Sequence, residues 1–165
     1  MTSPFDDLLA ANAAFARDFT DVDFDGVAAA GVAMVTCMDS RIDPLGMIGL
    51  RPGDAKIFRN PGGRVTSAAL TALVLGVHLL NVHRVLIVPH TRCAMTSADE
   101  ATLHHLLTEA SGIDSSWLSL GTIPDQDQAL REDVHKVRSH PLVPDRVDVG
   151  GFLYDVDTGT LHQVA

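Results

Sequence analysis

The sequence predicts an α/β protein with a mainly parallel β-sheet flanked by helices, in a single domain over residues 1–165. Three observations carry this. Short apolar runs rich in β-branched residues alternate with segments of helical periodicity. The chain is 46% hydrophobic and 20% charged, which is ordinary globular composition and enough for one core. No internal repeat or low-complexity linker divides it.

Residues 4–18 read as an N-terminal helix. Ser3 can cap it, Pro4 suits the first helical position, and Asp6 and Asp7 complement the positive end of the helix dipole. Leu8, Leu9, Ala13, Phe15 and Ala16 form an apolar stripe with little local sequence to pack on. That stripe is expected to dock on a partner subunit in a symmetric dimer. Residues 18–25 read as an acidic loop.

Residues 31–36, too short for a helix, read as a buried strand that runs into Cys37-Met38-Asp39-Ser40-Arg41. A short helix over 42–50, with Pro44 near its start, and a turn over 51–54 lead to a second strand over 55–59. That strand runs into Asn60-Pro61-Gly62-Gly63. Residues 66–80 are a helix, with Ala69, Leu70, Leu73, Val74, Val77 and Leu80 at helical spacing. A third strand over 84–89 ends at His90-Thr91-Arg92-Cys93. Ser97, with Glu100 three residues on, predicts a capped helix to about 108, and another helix covers 127–139. Residues 147–156 and 161–164, about a turn at 157–159, read as a terminal strand pair.

Composition narrows the function classes. Twelve basic against 21 acidic residues give a net charge of −9, with no basic block. Nucleic acid and anionic membrane surfaces are therefore poor partners. No run of about 18 apolar residues suggests a spanning helix. The N-terminal segment carries Asp6 and Asp7 without a basic region, so it does not read as a signal peptide. The expectation is a cytoplasmic protein whose two cysteines, Cys37 and Cys93, remain reduced thiols.

In a parallel sheet the ligand site lies beyond the carboxyl ends of the strands. Three strands here end in chemistry-bearing residues. Thiolate and imidazole are preferred zinc ligands, so Cys37, His90 and Cys93 are candidate metal ligands with one position left open. Asp39 is near enough in sequence to reach the same metal, and Arg41 can hold that carboxylate by a bidentate pair. Plainer readings stand beside this one. A free cysteine is often a small buried hydrophobe, and an exposed Asp39–Arg41 pair contributes only about 0–1 kcal/mol. A cysteine nucleophile with a histidine base is a chemical alternative. Arg41, Arg59 or Arg92 suggests anion recognition, which Asp39, two residues after Cys37, opposes.

The order Cys37-Met38-Asp39-Ser40-Arg41, then Arg59-Asn60-Pro61-Gly62-Gly63, then His90-Thr91-Arg92-Cys93 resembles the β-class carbonic anhydrases, whose pattern is C-x-D-S/A-R, R-N-A-G and H-x-x-C. The resemblance spans about residues 5–164 and is nearest to the short actinobacterial, mycobacterial-like members. It implies one zinc ion per chain held by Cys37, His90 and Cys93, with Asp39 and Arg41 as the catalytic dyad. It also makes Asp39 a possible fourth ligand in a closed state. The implied reaction is the reversible hydration of carbon dioxide to bicarbonate and a proton by zinc-bound hydroxide. Gly62, Gly63 and Val65 are candidates for the substrate pocket. The family assembles as homodimers or higher oligomers, with the N-terminal helix packing across the partner. The same scaffold also serves hydrolysis of carbon disulfide or carbonyl sulfide, and a zinc-binding, non-catalytic homologue is a third reading. Three departures stand out: Ala94 where the family usually has Gly, Arg92 where a small polar residue is common, and Pro61 in place of Ala. Alanine is tolerated at position 94 only if its φ is negative.

Overall fold

Val32–Cys37 (β1) is buried along its whole length, which requires cover on both faces of the sheet. The structure, a computed structural model, describes residues 3–20 and 25–165. In it β1 lies between Ala55–Asn60 (β2) and Arg84–Val88 (β3), parallel to both. Asp148–Tyr154 (β4) continues the sheet parallel to β3, and Leu161–Gln163 (β5) closes it as the antiparallel partner of β4. The order is β2-β1-β3-β4-β5. Both the mainly parallel sheet and the terminal strand pair match the sequence expectation.

Alternation along the strands decides what meets the helices. Ala33, Val35, Val85, Ile87 and Val149 share the main core with Ala69, Leu73 and Val77 of Ser67–Leu79 (α2). The same core takes in Leu130, Val134 and Val137 of Gln126–Arg138 (α5). Thr66 caps α2 by accepting the Ala69 amide at 3.3 Å. α5 approaches β4 closely because Gly151 has no side chain: a Cβ there would lie 2.8 Å from Val134 Cγ2 and 3.0 Å from Leu130 Cγ.

Several local expectations shift. The first helix, Asp6–Arg17 (α1), starts two residues later than expected. Ser3 Oγ accepts the Phe5 amide, and Asp6 takes the Ser3 amide at 2.9 Å. Of the acidic loop, residues 21–24 lie outside the described residues. The helix expected over 42–50 is only a 3-10 turn at Gly46–Ile48, closed by Gly49 at φ 69°. Ser97 does not cap a helix but ends the short Ala94–Ser97 (α3). Asp99 instead caps Glu100–Ser111 (α4) through the Thr102 amide at 2.8 Å. Glu100 turns away from any capping box to accept the Leu120 amide at 2.7 Å.

Gly151→Ala puts a methyl into the α5–β4 contact. It should lower unfolding stability by about 1–3 kcal/mol without changing the fold, read from urea denaturation followed by circular dichroism.

Candidate metal centre

The strand order brings three sequence segments to one end of the sheet. Cys37, the last residue of β1, pairs with Asn60 at the end of β2. On the other side β3 continues through Pro89 and His90, which remain tied to β4. The Tyr154 amide donates to Pro89 O at 3.0 Å, and the Thr91 amide to Tyr154 O at 2.9 Å. Arg92 then takes a left-handed backbone with φ 53°, a conformation that costs a non-glycine residue of order 1 kcal/mol. The reversal turns Cys93 back toward His90 and starts α3.

Cys37, His90 and Cys93 are all buried, and their ligating atoms lie within 4.8 Å of one another. The two sulfurs are 3.9 Å apart and the thiols are free. Two sulfurs about 2.3 Å from a tetrahedral ion stand about 3.8 Å from each other, so the spacing suits a metal. His90 Nδ1 faces Thr91 O at 2.8 Å and must donate its proton there. That leaves Nε2 as an unprotonated acceptor, fully buried and, among the described residues, without a hydrogen-bond partner. Burial pushes the imidazole pKa down, which keeps the ring neutral, and pushes the Cys93 thiol up. A neutral imidazole with a free lone pair beside two thiols is the donor set of a soft or borderline cation.

Asp39 and Arg41 form the bidentate pair that the sequence suggested. Arg41 Nε donates to Oδ1 at 2.9 Å and its terminal nitrogen to Oδ2 at 2.7 Å. The same terminal nitrogen reaches Arg92 O at 3.2 Å, so the strained turn also anchors the dyad. These hydrogen bonds hold the Asp39 carboxyl well below the usual carboxylate range. Its Oδ2 lies 3.7 Å from His90 Nε2, beside the three-residue group but not part of it.

Arg59 has a role that the sequence did not disclose. Its guanidinium donates to the main-chain oxygens of Cys37 at 2.9 Å, Asp39 at 2.6 Å and Ile42 at 3.3 Å. It thus braces the loop that carries the first ligand and the dyad, rather than facing an anion. Gln126, also missed, donates from Nε2 to His90 O at 3.0 Å. Nothing in the one-dimensional pattern connects residues 36 positions apart. Of the pocket candidates, Gly62 and Gly63 are buried in a 3-10 turn beside the site, and Val65 gives its side chain to the main core. Ala94 opens α3 and does not have a positive φ, so the family's usual glycine is not needed there.

Comparison with known proteins agrees with this geometry. The carbonic anhydrase family profile matches residues 32–161. β-Carbonic anhydrase 1 of Mycobacterium tuberculosis is 30% identical over 133 residues, 81% of each chain. The chain belongs to the β-carbonic anhydrase family. Among solved structures, the carbonic anhydrase of Streptococcus mutans superposes with a TM-score of 0.90 at 32% identity, covering 100% of this chain and 99% of that one. The family's members are not confined to one named activity. A carbon disulfide hydrolase of Acidithiobacillus thiooxidans is 31% identical over 148 residues, covering 76% of this chain and 73% of that protein.

If this three-residue group is the metal centre of a β-carbonic anhydrase-family protein, Cys37→Ser, His90→Ala and Cys93→Ser should each lose the bound metal while the wild type retains about one ion per chain. Elemental analysis of the purified proteins checks this, and full retention in Cys37→Ser would refute the assignment.

Proposed function

We propose that the protein catalyses the reversible hydration of carbon dioxide to bicarbonate and a proton, with a zinc ion held by Cys37, His90 and Cys93. The observation that carries this reading is the buried, unpartnered His90 Nε2 facing two thiols, next to a carboxylate fixed by Arg41. Zinc in such a site lowers the pKa of bound water toward about 7 and so supplies a nucleophile at neutral pH.

The remaining steps belong to the side chains. Asp39, kept ionised by Arg41, accepts a hydrogen bond from the attacking oxygen and so aims its lone pair at the carbon of CO2. The substrate carbon gains that oxygen, bicarbonate departs, and the released proton passes to buffer. Arg41 acts through Asp39: its two donors keep the carboxylate off the ligand group. Arg59 keeps the whole 37–42 loop in register.

A second reading has a specific observation in its favour. The Acidithiobacillus thiooxidans relative, about as similar as the mycobacterial one, acts on carbon disulfide. Carbon disulfide and carbonyl sulfide present the same linear, electrophilic carbon, so the same residues serve either substrate.

We further propose that the single domain works as a homodimer or higher oligomer. α1 buries none of its residues, and Phe5, Leu8, Leu9 and Phe15 are all exposed. An apolar helical stripe left in water is the feature expected of an interface.

Stopped-flow CO2 hydration, run beside a hydrogen sulfide release assay on carbon disulfide and carbonyl sulfide, separates the two substrate readings. Fast hydration with slow sulfide release is expected, and the reverse would transfer the assignment. Arg41→Ala should keep its zinc and lose about 10-fold or more of the hydration rate between about pH 6.5 and 9. Wild-type rates throughout would remove the dyad from the mechanism. Deleting residues 1–18 should shift the sedimentation coefficient toward that of a monomer, whereas an intact chain already monomeric at micromolar concentration contradicts the assembly.

A further inference from the structure

The zinc reading leaves one buried charged group unused. Asp133 lies on α5, with its side chain 4% exposed. Its Oδ2 accepts Arg64 Nε at 2.6 Å and the Val65 amide at 3.0 Å, and Oδ1 takes a second Arg64 nitrogen at 3.3 Å. One turn further along α5, Lys136 Nζ donates to Val65 O at 2.7 Å. From the end of β2, Asn60 accepts the Arg64 amide at 2.8 Å and donates to Arg64 O at 2.7 Å. Both backbone groups of Arg64 and both of Val65 are therefore met by side chains, with the Thr66 amide a second donor to Arg64 O at 2.9 Å.

The turn that leads into this segment lies against the backbone of the first candidate ligand. Gly63, with φ 66°, sits so close to the strand ends that a Cβ would lie 3.0 Å from Cys37 N and 3.2 Å from Val88 O. Gly62 faces Met95 on the other side, where a Cβ would lie 3.6 Å from that side chain's Cβ. The turn at 62–63 thus wedges between the backbone of the first ligand and the helix that follows the third. Gln126, seven residues before Asp133 and so two turns away on the same side of α5, holds His90 O.

We propose that Asp133 is a positioning residue of the metal centre: through Arg64 and Val65 it presses the Gly62–Gly63 turn against Cys37 and fixes where that sulfur stands relative to His90 and Cys93. This rests on the zinc reading above. A carboxylate that only tied α5 to the core would contribute to stability and leave the ligand geometry alone. A carboxylate that sets the ligand geometry also sets metal affinity and the ligand field. Partners behind metal ligands typically change affinity about 10–100-fold when removed.

The test uses the full chain loaded with zinc or cobalt(II). Zinc affinity comes from competition with a chromophoric chelator, and the cobalt(II) absorption spectrum reports the thiolate–imidazole field without reference to activity. Asp133→Ala should weaken zinc binding about 10–100-fold and alter the cobalt spectrum. Asp133→Asn should do so less, because its amide oxygen still accepts the Val65 amide. Lys136→Met, which removes one donor and buries no charge, should shift both readouts in the same direction. Asp127→Asn, which breaks only the exposed pair with Arg131 on the same helix, should change neither. A lowered Tm with wild-type zinc affinity and an unchanged cobalt spectrum would overturn the proposal. If the Asp133 variants do not fold, Lys136→Met decides by the same criterion. A wild-type chain that binds no zinc would instead overturn the reading of the centre itself, which the wild-type arm reports separately.

Discussion

One buried nitrogen without a partner organises this molecule. His90 Nε2 is removed from water and accepts no hydrogen bond, while Nδ1 is committed to Thr91 O. An unsatisfied buried polar group costs about 1–3 kcal/mol, and a stable fold tolerates it where a ligand will complete it. Here the two thiols converge on the same point, so the group can hold a cation that accepts one nitrogen and two sulfurs. The rest of the site can be understood as the means of keeping that point buried and rigid.

Rigidity comes from backbone carbonyls and amides held by side chains far away in sequence. Arg59 takes the carbonyl oxygens of Cys37, Asp39 and Ile42, and Arg41 adds that of Arg92. The left-handed turn at Arg92 lets residues three apart face one another. Loops beyond the ends of parallel strands have no ladder to satisfy them, so charged side chains do this work, and each such bond also fixes the loop's position. Asp39 turns both carboxylate oxygens to Arg41, with Oδ2 3.7 Å from His90 Nε2.

The family resemblance and the geometry meet at the level of chemistry rather than of one substrate. Relatives named for carbonic anhydrase and for carbon disulfide hydrolysis align with this chain at similar identity. Carbon dioxide and carbon disulfide are both small linear molecules with an electrophilic central carbon. Met38 and Arg41, close to Cys37 and Asp39 in the chain, are both exposed. α1 has no buried residue of its own.

Much of this was legible in the sequence. The burial of Val32–Cys37, the α2 periodicity and the alternation of strands with helices follow from side-chain hydrophobicity alone, because the transfer of apolar surface from water is local and additive. The convergence of Cys37, His90 and Cys93 was legible because they lie at or just beyond the ends of β1 and β3, and parallel strands deliver their ends to one place. Short-range competition was less legible. Asp99 rather than Ser97 caps α4, and the 42–50 segment settles as a single 3-10 turn, since neighbouring polar side chains offer the backbone several nearly equal partners. The tertiary structure alone decided which residues support the site. Arg59, Gln126 and Asp133 sit between 17 and 69 positions from the backbone or side chains they hold. Hydrogen bonds depend on distance and angle in space, and no periodicity along the chain encodes a contact made only after the sheet has formed.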